Sequence, residues 1–395
     1  MNHELLTRGV ERIYPSAEAL EKELASGRKL RIYFGIDPTG PSLHLGHAVN
    51  LLKLREFQDL GHEIIFLIGD FTALIGDPTD KAAARVKLTP AQVKENLKPY
   101  LTQAGKILDL SKTQVRYNSE WLAKLNLAEL LELASHLTFA QIIKRDMFQK
   151  RLSENKDLFL HEFLYPLMQG YDSVVLETDI ELGGNDQIFN MLVGRDLLKS
   201  LKSKEKFVVA MKLLTDPSGK KMGKTEGNLV ALDAAPAEIY GKVMSWPDEL
   251  LPLGFELLTR LPVYRPGLPL DNELTELIGH DPKAAKMRLA REIVGWCHNA
   301  EAAAAAEAQF VQTFQNRAAA AETFEEIPVA IGARLAEVLV AAKVVESKTE
   351  LRRLFRAGAV ENLDGGEKVS DPDTVVSGSL RLRVGKKRFI RLVSR

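Results

Sequence analysis

Residues 33–47 read YFGIDPTGPSLHLGH and place two imidazoles, His44 and His47, three positions apart around Gly46. Imidazole N–H groups donate to phosphate oxygens, and glycines at 35, 40 and 46 allow the backbone to approach such a ligand closely. A second cluster, KKMGKT at 220–225, sets Lys220, Lys221 and Lys224 around a glycine. Ammonium groups on a flexible segment suit a triphosphate whose negative charge grows on a leaving pyrophosphate. A third set, Tyr165, Gln169 and Asp172, is spaced by four and then three, so on a helix the phenol, the amide and the carboxylate share one face. Each set also has an ordinary counterpart: a glycine-rich loop with surface histidines, a solvated lysine loop, and a trio of buried hydrogen-bonding residues. What is specific is that they occur together and in this order.

The elements that must position these residues follow from the hydrophobic periodicity. KLRIYFGID reads as a buried strand stopping at Asp37 and Pro38, HAVNLLKLREFQDLG as a helix ending at Gly61, and EIIFLIGD as a second strand. Strand, helix, strand in about 40 residues is a βαβ unit of a parallel sheet. SVVLETDIELGG, DQIFNMLVGRDLLKSL and KFVVAMKLLTD repeat that order. Residues 1–230 therefore read as a doubly wound, Rossmann-type α/β domain with a helical insertion at about 120–160. The histidine corner then lies at the carboxyl end of a parallel strand, where such sheets place ligands. Residues 231–328, rich in helix formers, read as an α-helical domain, and 329–395 as a small α+β module.

Composition narrows the partners. With 45% hydrophobic and 27% charged residues the chain reads as globular, and its single cysteine, Cys297, forms no internal disulfide. The N-terminal residues lack a secretory layout, and no apolar run reaches the roughly 20 residues of a membrane span. A reducing cytoplasm, with no membrane partner, is the expected setting. The 53 basic and 53 acidic residues balance, but residues 341–395 hold thirteen Lys or Arg against seven Asp or Glu. In SLRLRVGKKRFIRLV the period of two sends Leu, Val and Ile to one face and Arg381, Arg383, Lys386, Lys387, Arg388 and Arg391 to the other. With Arg352 and Arg353 on the preceding helix, this is an anion-facing surface for which nucleic acid is the commonest partner.

The histidine corner resembles the HIGH signature, and the lysine loop the KMSKS signature, of class I aminoacyl-tRNA synthetases. Leu45 departs from the first, and Gly223 and Thr225 from the second; these variants are familiar in the tyrosyl branch. The 165–172 segment resembles the pocket helix of that branch. The resemblance implies that Tyr33 and Asp172 receive a substrate phenol, and that Tyr165, Gln169, Asp77 and Asn118 hold its α-ammonium. GGNDQ at 183–187 resembles the family's Gly-Gly-x-Asp-Gln turn, implying Gly184 and Asp186 at the adenosine ribose and Gln187 near the tyrosyl group. For ATP it further implies Gly35, Asp37, Gly46 and Met222 beside His44 and His47. Lys221, Lys224 and Thr225 would close on the leaving group, and Lys81 and Arg85 would grip pyrophosphate. Mg2+ would accompany the nucleotide, since the sequence offers no protein cage for a metal.

The last module resembles the S4-type RNA-binding domain, so the likeness runs from about Gly9 to the end. The implied partners are L-tyrosine, ATP and tRNA(Tyr), with a homodimer formed through the amphipathic insertion between Leu127 and Phe148. The rivals are a tryptophanyl-tRNA synthetase, a catalytically silent RNA-binding regulator and a different adenylyl transferase.

Overall fold

Six strands form the first sheet: β1 (Val10–Tyr14), β2 (Arg31–Ile36), β3 (Glu63–Ile68), β4 (Thr113–Tyr117), β5 (Ile180–Gly184) and β6 (Phe207–Met211). The computed structural model describes the chain apart from residues 1–3, 80–87, 220–228, 262–271, 316–323, 343, 346, 357, 365–367, 370, 372–373, 386–387 and 395. Lys81, Arg85, Lys221, Met222, Lys224, Thr225, Lys386 and Lys387 therefore lie outside the described residues. The strand order is β1-β6-β5-β2-β3-β4; every neighbouring pair is parallel except β1 with β6. This is the doubly wound sheet expected from the sequence. Chain order reverses at β2, which pairs with β3 on one side and β5 on the other, so the crevice beyond the carboxyl ends of β2 and β5 is the natural ligand site.

Two features depart from the periodicity. β1 and β4 were not anticipated; their burial patterns are mostly half-exposed, as expected of short strands at the sheet's two edges. SVVLETDIELGG is not one strand. Ser173 to Leu176 complete the helix Tyr165–Leu176, Glu177 turns the chain with a left-handed φ of 47°, and only Ile180–Gly184 is extended. Val174 and Leu176 pack with Ile65, Leu197 and Leu198, so tertiary contact overrides the β preference of the Val-Val pair.

The β4–β5 connection carries helices Ser119–Leu122, Leu127–Ser135, Phe139–Ile143 and Asp146–Ser153 before the Tyr165 helix. After β6 come helices Pro236–Met244, Leu251–Leu258, Asn272–His280, Pro282–Cys297 and Ala300–Phe310. The buried guanidinium of Arg8 donates to the backbone carbonyls of Phe255 (3.1 Å), Glu256 (3.0 Å) and Leu261 (2.7 Å), a cation on orphan carbonyls at a helix end. The chain divides into two compact units, residues 1–308 and 309–395, so the helical segment from 236 to 308 shares a unit with the six-stranded sheet.

In the second unit, β7 (Glu325–Val329), β8 (Val360–Asn362), β9 (Leu380–Val384) and β10 (Arg388–Ser394) make a sheet of order β7-β10-β9-β8. Helices Leu335–Ala341 and Lys348–Arg356 accompany it, and its core gathers Leu335, Leu339, Leu351, Phe355, Leu382, Ile390 and Leu392. β9 and β10 pair antiparallel with Arg381 opposite Arg391, which sets their guanidinium groups on one face.

Candidate active site

His44 is the N-cap of the helix Leu45–Asp59: its Nδ1 accepts the Gly46 N–H at 3.1 Å, while the Nδ1 of His47 accepts the His44 N–H at 3.1 Å. The two rings lie against each other, tilted by 34°, with centroids 3.8 Å apart. Because each Nδ1 is an acceptor, the proton of each neutral imidazole sits on Nε2. Both rings thus stand at a helix N-terminus, where the backbone dipole favours an anion.

The stretch following the lysine cluster returns to this corner. Leu45 N–H donates to Val230 O at 3.0 Å, Leu232 N–H to Leu43 O at 2.9 Å, and His44 forms a β-bridge with Ala231. Gln103 fastens the same joint, accepting from Leu43 N–H at 2.6 Å and donating to Asp233 at 2.7 Å. Tyr100 donates to Gly40 O at 2.7 Å, and burial pushes its phenol up to about 12. Residues 230–232 are therefore joined by backbone to the histidine corner at His44, a relation their separation in sequence does not announce.

The pocket helix brings Tyr165, Gln169 and Asp172 to the crevice. The Tyr165 hydroxyl donates to Asp37 Oδ2 at 2.9 Å, and Thr72 Oγ1 donates to Asp37 Oδ1 at 2.7 Å. A Cβ at Gly69 would lie 2.0 Å from that Asp37 oxygen, so glycine is required there. Asp77 accepts from Gln187 Nε2 at 2.7 Å and from the Thr79 hydroxyl at 2.6 Å, and Arg145 donates to Thr79 Oγ1 at 2.8 Å. In the 183–187 turn a Cβ on Gly184 would come within 2.5 Å of Asp186 Oδ1. Gly35, on β2, is exposed and open to a ligand.

Asp172 is buried, and burial drives its carboxyl well above the usual range, against the opposing effect of N–H donors from Trp121 (2.8 Å) and Asn118 (3.2 Å). Asn118, expected at the α-ammonium, is buried against Asp172. Its amide is engaged by Phe71 N–H, Thr72 Oγ1 and Asp172, so it stands behind the carboxylate and orients it. The Tyr33 hydroxyl meets Ser173 Oγ at 3.0 Å, and burial raises its phenol well above the usual value, with Glu181 and Asp172 adding to the rise.

Several residues of this site escaped the sequence reading: Thr72, Gln103, Trp121, Ser173, Glu181 and Lys206. The last three form a buried group under the pocket. Lys206 Nζ donates to Ser173 Oγ at 2.7 Å, to Met191 O at 3.0 Å and to Glu181 Oε2. The available signal was a glutamate inside an otherwise apolar strand, IELGG, since a buried carboxylate demands a partner.

In the second unit the ribbon arginines each meet an acid. Arg381 pairs with Asp364 at 2.6 Å, Arg388 with Glu350 and Arg391 with Glu326 at 3.4 Å each, and Arg383 with Glu361. Arg352 and Arg353 are exposed. Among the described residues no group of three or more His, Cys, Asp or Glu gathers to hold a metal ion, and no helix is long and apolar enough to cross a membrane.

A doubly wound sheet with a histidine-capped helix at its switch point and a buried carboxylate in the adjoining pocket matches a known family. The family model for class I tRNA synthetases (W and Y) covers residues 25–315, and the chain belongs to that family. Over 98% of its length it is 44% identical to the tyrosine–tRNA ligase of Moorella thermoacetica, covering 94% of that protein. It is 43% identical to tyrosine–tRNA ligase 2 of Vibrio cholerae, over 98% of this chain and 97% of the relative. Among solved structures it is similar to a C-terminally truncated mitochondrial tyrosyl-tRNA synthetase of Coccidioides posadasii, with TM-score 0.63 and 26% identity over 76% of this chain and 89% of that one. The tyrosyl-tRNA synthetase of Archaeoglobus fulgidus, complexed with L-tyrosine, shares the fold at TM-score 0.59 and 22% identity, over 77% of this chain and 98% of that one. Within the family, the chain groups with the tyrosine–tRNA ligases.

Proposed function

We propose that this chain activates L-tyrosine with ATP and esterifies it onto the 3′-terminal adenosine of tRNA(Tyr). The observation that carries the choice of amino acid is Asp172, a buried carboxylate held by Trp121 and Asn118 beside the Tyr33 hydroxyl. A phenol O–H satisfies such a carboxylate, whereas a plain phenyl ring leaves it buried and unmatched. The near-full-length relatives at 43–44% identity are tyrosine–tRNA ligases, and neither a tryptophanyl enzyme nor a silent regulator has a comparable observation in its favour.

In the first step a carboxylate oxygen of tyrosine attacks the α-phosphorus of ATP, and the bond to pyrophosphate breaks. The nucleophile is already anionic, so the protein's part is positioning and charge stabilisation. His44 and His47 donate to the phosphates at the helix N-terminus. Lys221, Lys224 and Thr225, with Lys81 and Arg85, act on the departing pyrophosphate; Mg2+ enters with ATP as part of the substrate. Tyr165, Gln169 and Asp77 receive the α-ammonium, and Gly184 and Asp186 the ribose. In the second step a terminal ribose hydroxyl of the tRNA, the 2′-hydroxyl, attacks the tyrosyl carbonyl and AMP leaves.

The second unit serves the tRNA in this reading, through Arg352, Arg353, Arg381, Arg383, Lys386, Lys387, Arg388 and Arg391, as an S4-type module. A homodimer is supported by apolar side chains on the helical insertion: Leu127 is 72% exposed and Leu160 79%, with Leu131 and Phe139 also exposed. We place its work in the cytoplasm, beside translation. Tyrosine-dependent exchange between ATP and pyrophosphate, followed by charging of tRNA(Tyr), tests the reading; no exchange with tyrosine overturns it.

A further inference from the structure

Beneath the pocket lies an ion pair that the two chemical steps do not use. Lys206 is 0% exposed and Glu181 2% exposed, and they meet directly through Nζ and Oε2. Glu181 is the second residue of β5, and Lys206 immediately precedes β6. The space for the ammonium exists because Gly170 and Gly194 let the helices Tyr165–Leu176 and Ile188–Lys202 approach closely. A Cβ on Gly194 would fall 2.7 Å from both Lys206 Nζ and Ser173 Oγ. Removing a lysine and a glutamate from water together is costly, and burying apolar residues in their place is often no less stable. The pair therefore invites a role beyond stability.

That role follows from counting protons. An ionised carboxylate only accepts hydrogen bonds and an ammonium only donates. Ser173 Oγ receives one N–H from Lys206 at 2.7 Å, leaving it a single proton and a lone pair for two neighbours, Glu181 Oε2 at 3.2 Å and the Tyr33 hydroxyl at 3.0 Å. Glu181 has no proton to give, so Ser173 donates to it. Tyr33 must then donate to Ser173, which turns a lone pair of the Tyr33 oxygen toward the pocket. At the other oxygen of the same carboxylate, Gln169 Nε2 donates to Glu181 Oε1 at 3.1 Å. This fixes the amide orientation and presents the Gln169 carbonyl oxygen as an acceptor.

We propose that the Lys206–Glu181 pair sets the direction of the hydrogen bonds at both ends of the amino-acid pocket, through Ser173 at the phenol end and Gln169 at the ammonium end. Glu181, Lys206 and Ser173 are positioning residues, and the proposal rests on the reading of this crevice as the tyrosine site. The pocket then offers two acceptors, Asp172 and Tyr33, to the para substituent and another acceptor to the α-ammonium. It selects a substrate that donates at both ends.

The test compares tyrosine with 4-aminophenylalanine, whose aniline group carries two N–H donors, as substrates for ATP–pyrophosphate exchange by the full chain. Glu181→Gln keeps an oxygen toward Ser173 and Lys206 and acts only at the Gln169 end, whereas Ser173→Ala releases the Tyr33 proton to the pocket. The aniline-to-tyrosine ratio of kcat/KM should then fall about fivefold or more, the weight of one hydrogen bond, with the change in KM rather than kcat. The charge-neutral double variant Glu181→Leu/Lys206→Met, which leaves Ser173 no acceptor but Tyr33, should show the same fall, and circular dichroism identifies any variant that has not folded. Ser173→Ala adds no volume and keeps the question open if the others unfold. An unchanged ratio in folded Ser173→Ala protein that still exchanges with tyrosine overturns the proposal alone. Failure of the unaltered chain to exchange with tyrosine overturns the functional reading instead.

Discussion

The carboxylate of Asp172 receives the indole N–H of Trp121 at 2.8 Å, so the residue closing the pocket is gripped from behind by an aromatic ring that is itself buried. Asp172→Ala leaves that N–H and the Asn118 amide without their acceptor and removes the partner of the phenol. Tyrosine affinity should fall about 5- to 150-fold, the equivalent of roughly 1–3 kcal/mol, while ATP binding changes far less. Equilibrium dialysis with each ligand measures both. Trp121→Phe, which keeps the ring and deletes the donor, should give a smaller loss in the same direction. Unaltered tyrosine binding by Asp172→Ala would place the phenol elsewhere.

His47→Ala should slow adenylate formation in single-turnover experiments with little effect on tyrosine affinity, because phosphate stabilisation is exerted mainly in the transition state. The structure adds a second consequence. The ring also accepts the His44 N–H in a capping box, so the variant should lose about 0.5–2 kcal/mol of stability in urea unfolding. Weaker tyrosine binding with an unaltered rate constant would reverse the assignment.

Ending the chain after Ala308 should leave exchange nearly intact and abolish charging, since every group assigned to activation precedes Glu226 and belongs to the first unit. In the second unit, Arg381 and Arg383 are held by Asp364 and Glu361. A phosphate must therefore compete with a carboxylate for each. Arg381→Ala should flatten the salt dependence of tRNA binding by about one unit of logarithmic slope, whereas Asp364→Asn should tighten binding at low salt. Charging by the shortened chain at the full rate would free the second unit for another role.

Asp179 gives a pH test of the fold that does not touch the pocket. Burial would raise its carboxyl, but the Arg31 N–H at 2.7 Å, Lys204 and Arg28 outweigh it and hold the value below the usual range. A carboxyl depressed in the folded state adds stability above its unfolded value of about 4, and that stability is lost as pH falls through the lower folded value. Asp179→Asn should thus be less stable than the parent at pH 7, with the difference shrinking below about pH 4. Urea midpoints at both ends check it. A constant difference across that range would mean that the carboxylate's charge plays no part.

Leu131→Glu or Phe139→Glu on the exposed apolar face of the insertion should shift the sedimenting mass from two chains toward one. A single-chain mass for the parent at micromolar concentration would remove the dimer.

The sheet and its ligand crevice were legible because apolar strands and a helix of period 3.6 leave distinct patterns, and the histidine corner and pocket helix sit at fixed offsets from them. Edge strands β1 and β4 were not, since a half-exposed strand of five residues carries little alternation. The contacts of Asn118 with Phe71, Thr72 and Asp172 were not legible, because its motif gives spacing but not which way the amide turns. Glu181 on β5 and Lys206 just before β6 are brought together by the parallel β5–β6 pairing, information that no local pattern holds. Gln103 was hidden for a similar reason: it acts by bridging Leu43 and Asp233 across long sequence separations.

The bond between Tyr33 and Ser173 joins positions 140 residues apart, and Ser173 is completed only by a lysine contributed still later in the chain. Contacts of such separation require a long loop to close before they form, and they tend to be made late in folding. A nascent chain emerging from the ribosome therefore carries its histidine corner well before it has anywhere to hold an amino acid. Only after the segment preceding β6 has been synthesised and docked can the pocket exist, and from then on bound tyrosine draws the equilibrium toward the finished fold. Free amino acid in the cell would in this way favour the maturation of the enzyme that consumes it.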